Sequence, residues 1–143
     1  MSHNIHFFTE GIAFRIQNKN KIRDWINNTA IEESKGTGEI CIIFCDDNYL
    51  FRLNRKYLKH YTLTDIITFP LMEEANVISG DIYISLPRII DNAKKFKQNR
   101  NDELKRVVIH GILHLIGYND SSEKEREEMR AKENYYIKKF IVL

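Results

Sequence analysis

Two histidines four residues apart, a glycine three beyond the second, and a carboxylate three beyond the glycine have the types and spacing of a metal site. They are His110, His114, Gly117 and Asp120. In a helix, residues i and i+4 lie on one face, so both imidazoles can share an ion. Gly117 fits the position just past a helix end, where a left-handed residue turns the chain. Asp120 then comes back from the turn with a hard oxygen. Two nitrogens and one carboxylate leave at least one position for water, the pattern of a catalytic zinc. Asp120 also has a structural reading. It precedes a helix whose capping box is Ser122 with Glu125, and a carboxylate favours the positive start of such a helix.

The elements around these residues must hold them in place. From Val107 to Ile116 every residue except His110, Gly111 and His114 is a large aliphatic. Such a helix is buried nearly all round, and its polar strip is the histidine pair. A buried imidazole needs a partner for each nitrogen, and a shared metal provides one for both residues. Asn101 or Asp102 is predicted to start this helix, and the last helix to run from Ser122 to Lys139. Upstream, Ile5–Phe8 reads as a strand paired with Ile12–Ile16 across Glu10-Gly11. Lys21–Ser34 reads as a helix burying Ile22, Trp25, Ile26, Thr29 and Ala30. Glu39–Cys45 reads as a buried strand. Asp47–Lys59 reads as a helix with Tyr49, Leu50, Leu53 and Tyr57 inward. Asp65–Phe69 and Asp81–Ser85 read as strands, the second entered through Gly80. Ser85 caps a further helix with Pro87 in its first turn and Ile89, Ile90, Ala93 and Phe96 inward. This order predicts an α+β fold. One domain over residues 1–143 would hold a mixed sheet of about four strands covered by helices, with the metal site on a buried helix and the following turn.

A hydrophobic content of 43% against 29% charged residues describes an ordinary globular chain rather than a disordered one. The sequence has neither an apolar run long enough to span a bilayer nor a signal-peptide pattern at Met1–Glu10, so cytoplasm is the expected location. Cys41 and Cys45 share one strand face and read as buried thiols, not as a disulfide framework. The net charge of +2 is uninformative, but the cations cluster. Arg52, Arg55, Lys56, Lys59 and His60 form one group. Arg88, Lys94, Lys95, Lys97, Arg100, Lys105 and Arg106 form another. Such clusters hold phosphates, or are simply solvated helix faces.

At residues 110–120 the chain resembles the YbeY family of metal-dependent endoribonucleases, whose motif H-G-x-L-H-L-x-G-Y-D-H reads HGILHLIGYND here. Two further segments agree in order and spacing. The family's Asn and aromatic followed by P-T-D-V-L-S-F-P resembles Asn54 through Tyr57 and Thr64-Asp65-Ile66-Ile67-Thr68-Phe69-Pro70. Its G-D-I-x-I-S resembles Gly80-Asp81-Ile82-Tyr83-Ile84-Ser85. Among the chain's departures from the pattern, Asp120 replaces the third histidine, Leu58 an arginine, and Leu63 a proline. Asp can ligate zinc, but it makes the site less positive and its water less acidic.

The resemblance implies a zinc-dependent hydrolase of single-stranded RNA. It would act on ribosomal RNA of the small ribosomal subunit, in its maturation and in ribosome quality control, with neither DNA nor membrane as partner. One Zn²⁺ would be held by His110, His114 and Asp120, although nickel, copper or manganese also suit such donors. A zinc ion lowers the pKa of its water toward about 7 and polarises a phosphoryl oxygen. Arg55, Lys56 and Lys59 are the candidate substrate contacts in place of the missing arginine, while Phe51, Tyr57 and Tyr61 either stack bases or belong to the core. Two other readings stand beside this one. A non-catalytic ribosome-assembly factor would use the metal only to staple the fold. A metzincin-like zinc protease shares the spacing His110, His114, Gly117 and Asp120, but its general base is a Glu where this chain has Gly111. The sequence names no general base for RNA hydrolysis.

Overall fold

A strand without polar alternation needs cover on both faces, and residues 40–45 obtain it at the centre of a four-stranded sheet. The computed structural model describes residues 4–58, 64–71 and 74–141. In chain order the elements are β1 (Ile5–Glu10), α1 (Lys19–Glu32), β2 (Gly36–Cys45) and α2 (Asp47–Leu53). A π-helical turn (Asn54–Leu58), β3 (Ile66–Pro70) and β4 (Val77–Ser85) follow, then α3 (Leu86–Lys95), α4 (Arg100–Ile116) and α5 (Glu123–Ile141). The sheet order is β1-β2-β4-β3. β1 and β4 pair parallel with β2, and β3 pairs antiparallel with β4. This is the mixed, helix-covered α+β sheet expected from the sequence.

One sheet face carries the main core. Ile40, Ile42 and Phe44 of β2 and Ile82 and Ile84 of β4 meet Trp25 and Ile26 of α1, Val108 and Ile112 of α4, and Tyr136 and Phe140 of α5. On the other face Cys45 and Ile67 pack under Leu50 of α2, with Tyr49, Phe69 and Tyr83 around them. Burial pushes the Cys45 thiol up to about 12, so it is an inert core group. Cys41 lies on the same strand but is only half-buried.

The predicted hairpin at Glu10-Gly11 does not form. β1 pairs with β2 from Ile5↔Ile40 to Glu10↔Cys45, after α1 has carried the chain across. Residues 12–16 are irregular, and the alternation of Ile12, Phe14 and Ile16 reflects packing on the core without strand pairing. β4 begins at Val77, so Gly80 lies inside the strand and not at its entrance. Tyr57, predicted inward, is 57% exposed, because the helix widens into the π-turn and places Asn54 in the buried position instead. Phe96 is likewise turned out. Helix α3 stops at Lys95, and the chain enters a left-handed turn at Lys97, with Gln98 N–H donating to the Ala93 carbonyl at 2.8 Å. Lys59, His60, Tyr61 and Leu63, and the side chain of Leu58, lie outside the described residues. No helix among the described residues is long and apolar enough to cross a membrane.

One carboxylate ties three segments together at the back of the site. Glu33, just past α1, accepts from Tyr118 Oη at 2.6 Å, from Lys132 Nζ at 3.0 Å, and from Tyr136 Oη. Burial alone would raise its pKa, but these three donors outweigh burial and hold it below the ordinary carboxylate range. A depressed carboxylate contributes stability that is present above its unfolded pKa and lost as pH falls through its folded one. Glu33→Gln is therefore expected to destabilise the fold at neutral pH by roughly 1–3 kcal/mol, the scale of hydrogen bonds to a charged group. Chemical denaturation at stepwise lower pH should show this gap closing below about pH 4. A gap independent of pH would rule out the ionic role.

Candidate metal centre

The site starts from the way α4 meets the sheet. A Cβ placed on Gly111 would stand 2.9 Å from both Ile66 Cδ1 and Ile82 Cγ2. Glycine lets the helix rest directly on β3 and β4, with Ile109, Ile112 and Leu113 fully buried beside it. The two histidines are then left on the edge of the helix facing α5. The position after the first histidine points into the sheet, so a carboxylate there could not serve as a base in the cleft. This weighs against the protease reading, and Gly111→Glu would disrupt the core instead of restoring a base.

Helix α4 begins with Asn99 as cap, its Oδ1 accepting from Asn101 N–H at 2.7 Å, slightly earlier than Asn101 or Asp102. It ends at Gly117, whose φ of +126° only glycine adopts freely. No atom lies within 4 Å of a Cβ at Gly117, so conformation and not space demands the glycine. Tyr118 N–H returns to the Leu113 carbonyl at 3.0 Å and closes the helix end. The turn is pinned behind by Tyr118 on Glu33, and ahead by a reciprocal capping box. Ser122 N–H donates to Glu125 at 2.9 Å, and Glu125 N–H to Ser122 Oγ at 3.1 Å.

This geometry brings Asp120 back over the histidines. His110 Nε2 and His114 Nε2 are 3.0 Å apart, and Asp120 Oδ2 is 3.3 Å from each. Three atoms at about 2.0–2.2 Å from one zinc ion, at tetrahedral angles, stand about 3.4 Å apart. The donor set and its spacing therefore fit such an ion. Among the described residues this is the group of three or more His, Cys, Asp or Glu donors that converges in this way.

A buried carboxylate on α5 orients the first histidine. His110 Nδ1 contacts Glu133 Oε2 at 2.7 Å, and Arg106 Nη1 donates to Glu133 Oε1 at 2.9 Å. Glu133 is thus held from both sides; burial opposes its charge, but His110 and Arg106 keep its pKa low. A carboxylate on the far nitrogen fixes the tautomer that leaves Nε2 facing the ligand position. The surroundings shift the two imidazoles in opposite directions. Burial opposes a proton on His110, but Glu133, with Asp120 and Asp65 nearby, outweighs burial and raises its pKa. Burial and the charge of His110 lower that of His114. When His110 is protonated, its Nδ1–H faces Glu133 and its Nε2–H lies between His114 Nε2 and Asp120 Oδ2.

His110 and Asp120 of the triad line a cleft of ≈ 380 Å³. Its walls include Asp65 and Asn92 on one side and Arg106, Arg126 and Arg130 from α4 and α5. Burial raises the Asp65 pKa, and its nearest partner is Asn92 Nδ2 at 3.5 Å. Arg55 and Lys56 are exposed on the π-turn and do not line this cleft. Sequence reasoning missed Glu133, Asp65 and the α5 arginines. Glu133 had a usable signal: with Met129, Tyr136 and Phe140 it falls on the buried stripe of α5, an unusual place for a carboxylate.

The chain matches the family model described as Endoribonuclease YbeY over residues 4–141. It is 47% identical over 134 residues to the Endoribonuclease YbeY of Amoebophilus asiaticus, covering 94% of this chain and 91% of that one. It is 47% identical over 139 residues to the Endoribonuclease YbeY of Flavobacterium johnsoniae, covering 97% of each. The solution structure of a Thermotoga maritima protein superposes with a TM-score of 0.66 at 28% identity, over 95% of this chain and 88% of that one.

His110→Ala, His114→Ala and Asp120→Ala are each expected to reduce bound metal sharply, read by elemental analysis after gel filtration. Asp120→Asn should lose less, because the amide oxygen stays near. Metal uptake should also release protons, and more of them as pH falls, since the ion competes with protonation of His110. Titration calorimetry in buffers of different ionisation enthalpy reads their number, and no release would contradict that competition.

Proposed function

The chain belongs to the YbeY family of endoribonucleases, and on that premise we propose that it hydrolyses single-stranded RNA at one zinc ion held by His110, His114 and Asp120. We further propose that residues 1–143 act as a single domain in the cytoplasm. The substrate would be ribosomal RNA of the small subunit, in its maturation and quality control. The observation that carries the reading is the convergence of three donor atoms at the floor of a cleft, with Glu133 behind His110.

The bound ion supplies Lewis acidity to a phosphoryl oxygen and to water. The chain supplies the rest. Arg126 and Arg130 line the cleft and suit the charge of the RNA backbone, and Arg106 stiffens the wall through Glu133 and through Asn134 Oδ1 at 2.9 Å. Two carboxylates of the cleft wall, Asp65 and Glu103, are raised in pKa by burial; Asp65, which feels the charge of His110 at the donor triad, is the one that suits a group that takes and returns a proton. Arg55 and Lys56 would then act outside the cleft, on flanking phosphates. The assembly-factor reading is less well supported: a stapling zinc closes with four protein ligands, whereas three donors meet among the described residues.

Metal-loaded protein is expected to cut single-stranded RNA, to leave peptides intact, and to stop on chelation. Asp65→Asn should lower kcat by roughly 10²–10⁴, the usual loss of a general base, with KM nearly unchanged and metal content intact. Peptide cleavage without RNA cleavage would reverse the assignment, and full activity in Asp65→Asn would move the base elsewhere.

A further inference from the structure

The cleft has a feature that metal chemistry does not use. Phe96 lines it together with His110 and Asp120, yet its ring is 56% exposed. Single exposed apolar side chains are common and mean little by themselves. Position distinguishes this one. Of the large exposed apolar side chains among the described residues (Phe8, Ile31, Tyr57, Leu71, Phe96 and Tyr135), Phe96 alone lines the metal cleft.

Its neighbours are cations. Lys95 Nζ lies 5.6 Å from the centre of the ring. Lys94, Lys97 and Arg100 are exposed on the same α3–α4 junction. Arg126 and Arg130 line the cleft from α5. A second protein chain would match a broad exposed apolar surround, whereas the apolar residues lining the cleft beside Phe96, Val107 and Met129, are buried. An aromatic face among phosphate-binding cations matches a nucleotide, with its base on the ring and its phosphates on the cations.

The backbone beneath the ring is also fixed. The left-handed turn at Lys97, with φ of +54°, and the Gln98-to-Ala93 hydrogen bond end α3 at this point and turn Phe96 out of the helix stripe. A fixed backbone reduces what is lost in entropy on stacking. We propose that Phe96 is the stacking platform for one unpaired base of single-stranded RNA at the mouth of the metal cleft. This makes it a determinant of strand selectivity, because a base inside a duplex offers no free face. The proposal rests on the RNA-hydrolase reading for its ligand, but not on turnover.

The test is binding of a short single-stranded RNA, 2′-O-methylated throughout, to the metal-loaded full chain, followed by fluorescence anisotropy, with a gel confirming that the probe stays intact. Phe96→Ala is expected to weaken binding roughly five- to a hundredfold, the range for losing one base–aromatic stack. Phe96→Tyr should bind as the unmodified chain does, and Phe8→Ala, which removes an exposed ring elsewhere, should change nothing. A probe carrying one abasic position should lose affinity for the unmodified chain in one register and lose nothing further in Phe96→Ala. Duplex RNA should not distinguish the variants.

Equal affinity of Phe96→Ala and the unmodified chain would overturn the proposal, as would equal losses on single and double strands. So would a concentration-dependent self-association abolished by Phe96→Ala, which would assign the ring to a second copy. Binding with the expected pattern but without cleavage of unmodified RNA would sink the hydrolase reading and leave the platform standing. No RNA binding at all would sink both.

Discussion

The contact of Gly111 with Ile66 and Ile82 is the constraint on which the site depends. Helix α4 carries more apolar surface than any one neighbour can cover, so it must press against the sheet and against α3 and α5 together. A helix so enclosed cannot rotate about its axis without clashes. Rotation decides where the imidazoles point, since residues one turn apart share a face. Packing at Gly111 therefore aims His110 and His114 some distance away. The same contact explains why no carboxylate follows the first histidine: that position belongs to the core.

The rest of the site is a balance of charges around a rigid pair. Arg106 holds Glu133, Glu133 holds His110, and His110 meets His114 and Asp120. Each link stands at 2.7–3.3 Å. A half-satisfied polar chain in low dielectric is costly; each member here meets the next, although Arg106 Nε is buried without a hydrogen-bond partner among the described residues. The order of charges, cation to anion to imidazole, keeps Nδ1 of His110 engaged and Nε2 facing the cleft. Asp120 is the member least constrained by the core, because it reaches the site from a turn. That turn is held at both ends, by Glu33 on Tyr118 and by the Ser122–Glu125 box.

The parts of this arrangement governed by local rules were legible in the sequence. The histidine spacing, the terminating Gly117, the capping box and the Ser85 cap all follow from short-range stereochemistry, and all stand where the residue types place them. Four strands and a mixed sheet could be counted from apolar runs. What could not be read was decided by partners remote in sequence. The alternation of residues 12–16 fits a strand as well as a core-facing irregular segment, and only the pairing of β1 with β2 excludes the hairpin. Phe96 continues the apolar stripe of α3 by spacing, but the helix ends one residue too soon for it to count. Glu133 acquires its meaning 23 residues from His110, a distance that helix periodicity does not span.

The replacement of a family histidine by Asp120 bears on how the cleft divides its tasks. Two neutral imidazoles and one carboxylate leave a divalent ion with one net positive charge, where three imidazoles would leave two. A less positive site polarises its ligands less. The cleft carries compensating features on its own walls. Arg126 and Arg130 bring positive charge to its rim without touching the donor triad. The burial that raises the Asp65 pKa makes that carboxylate more basic than an exposed one. Cations at the rim attract the polyanion over roughly a Debye length, whereas a third-ligand charge acts within a few ångströms of the ion. In the proposed function, the aspartate would thus alter the local acidity of the site and leave the long-range attraction for RNA to α5 and to the α3–α4 junction.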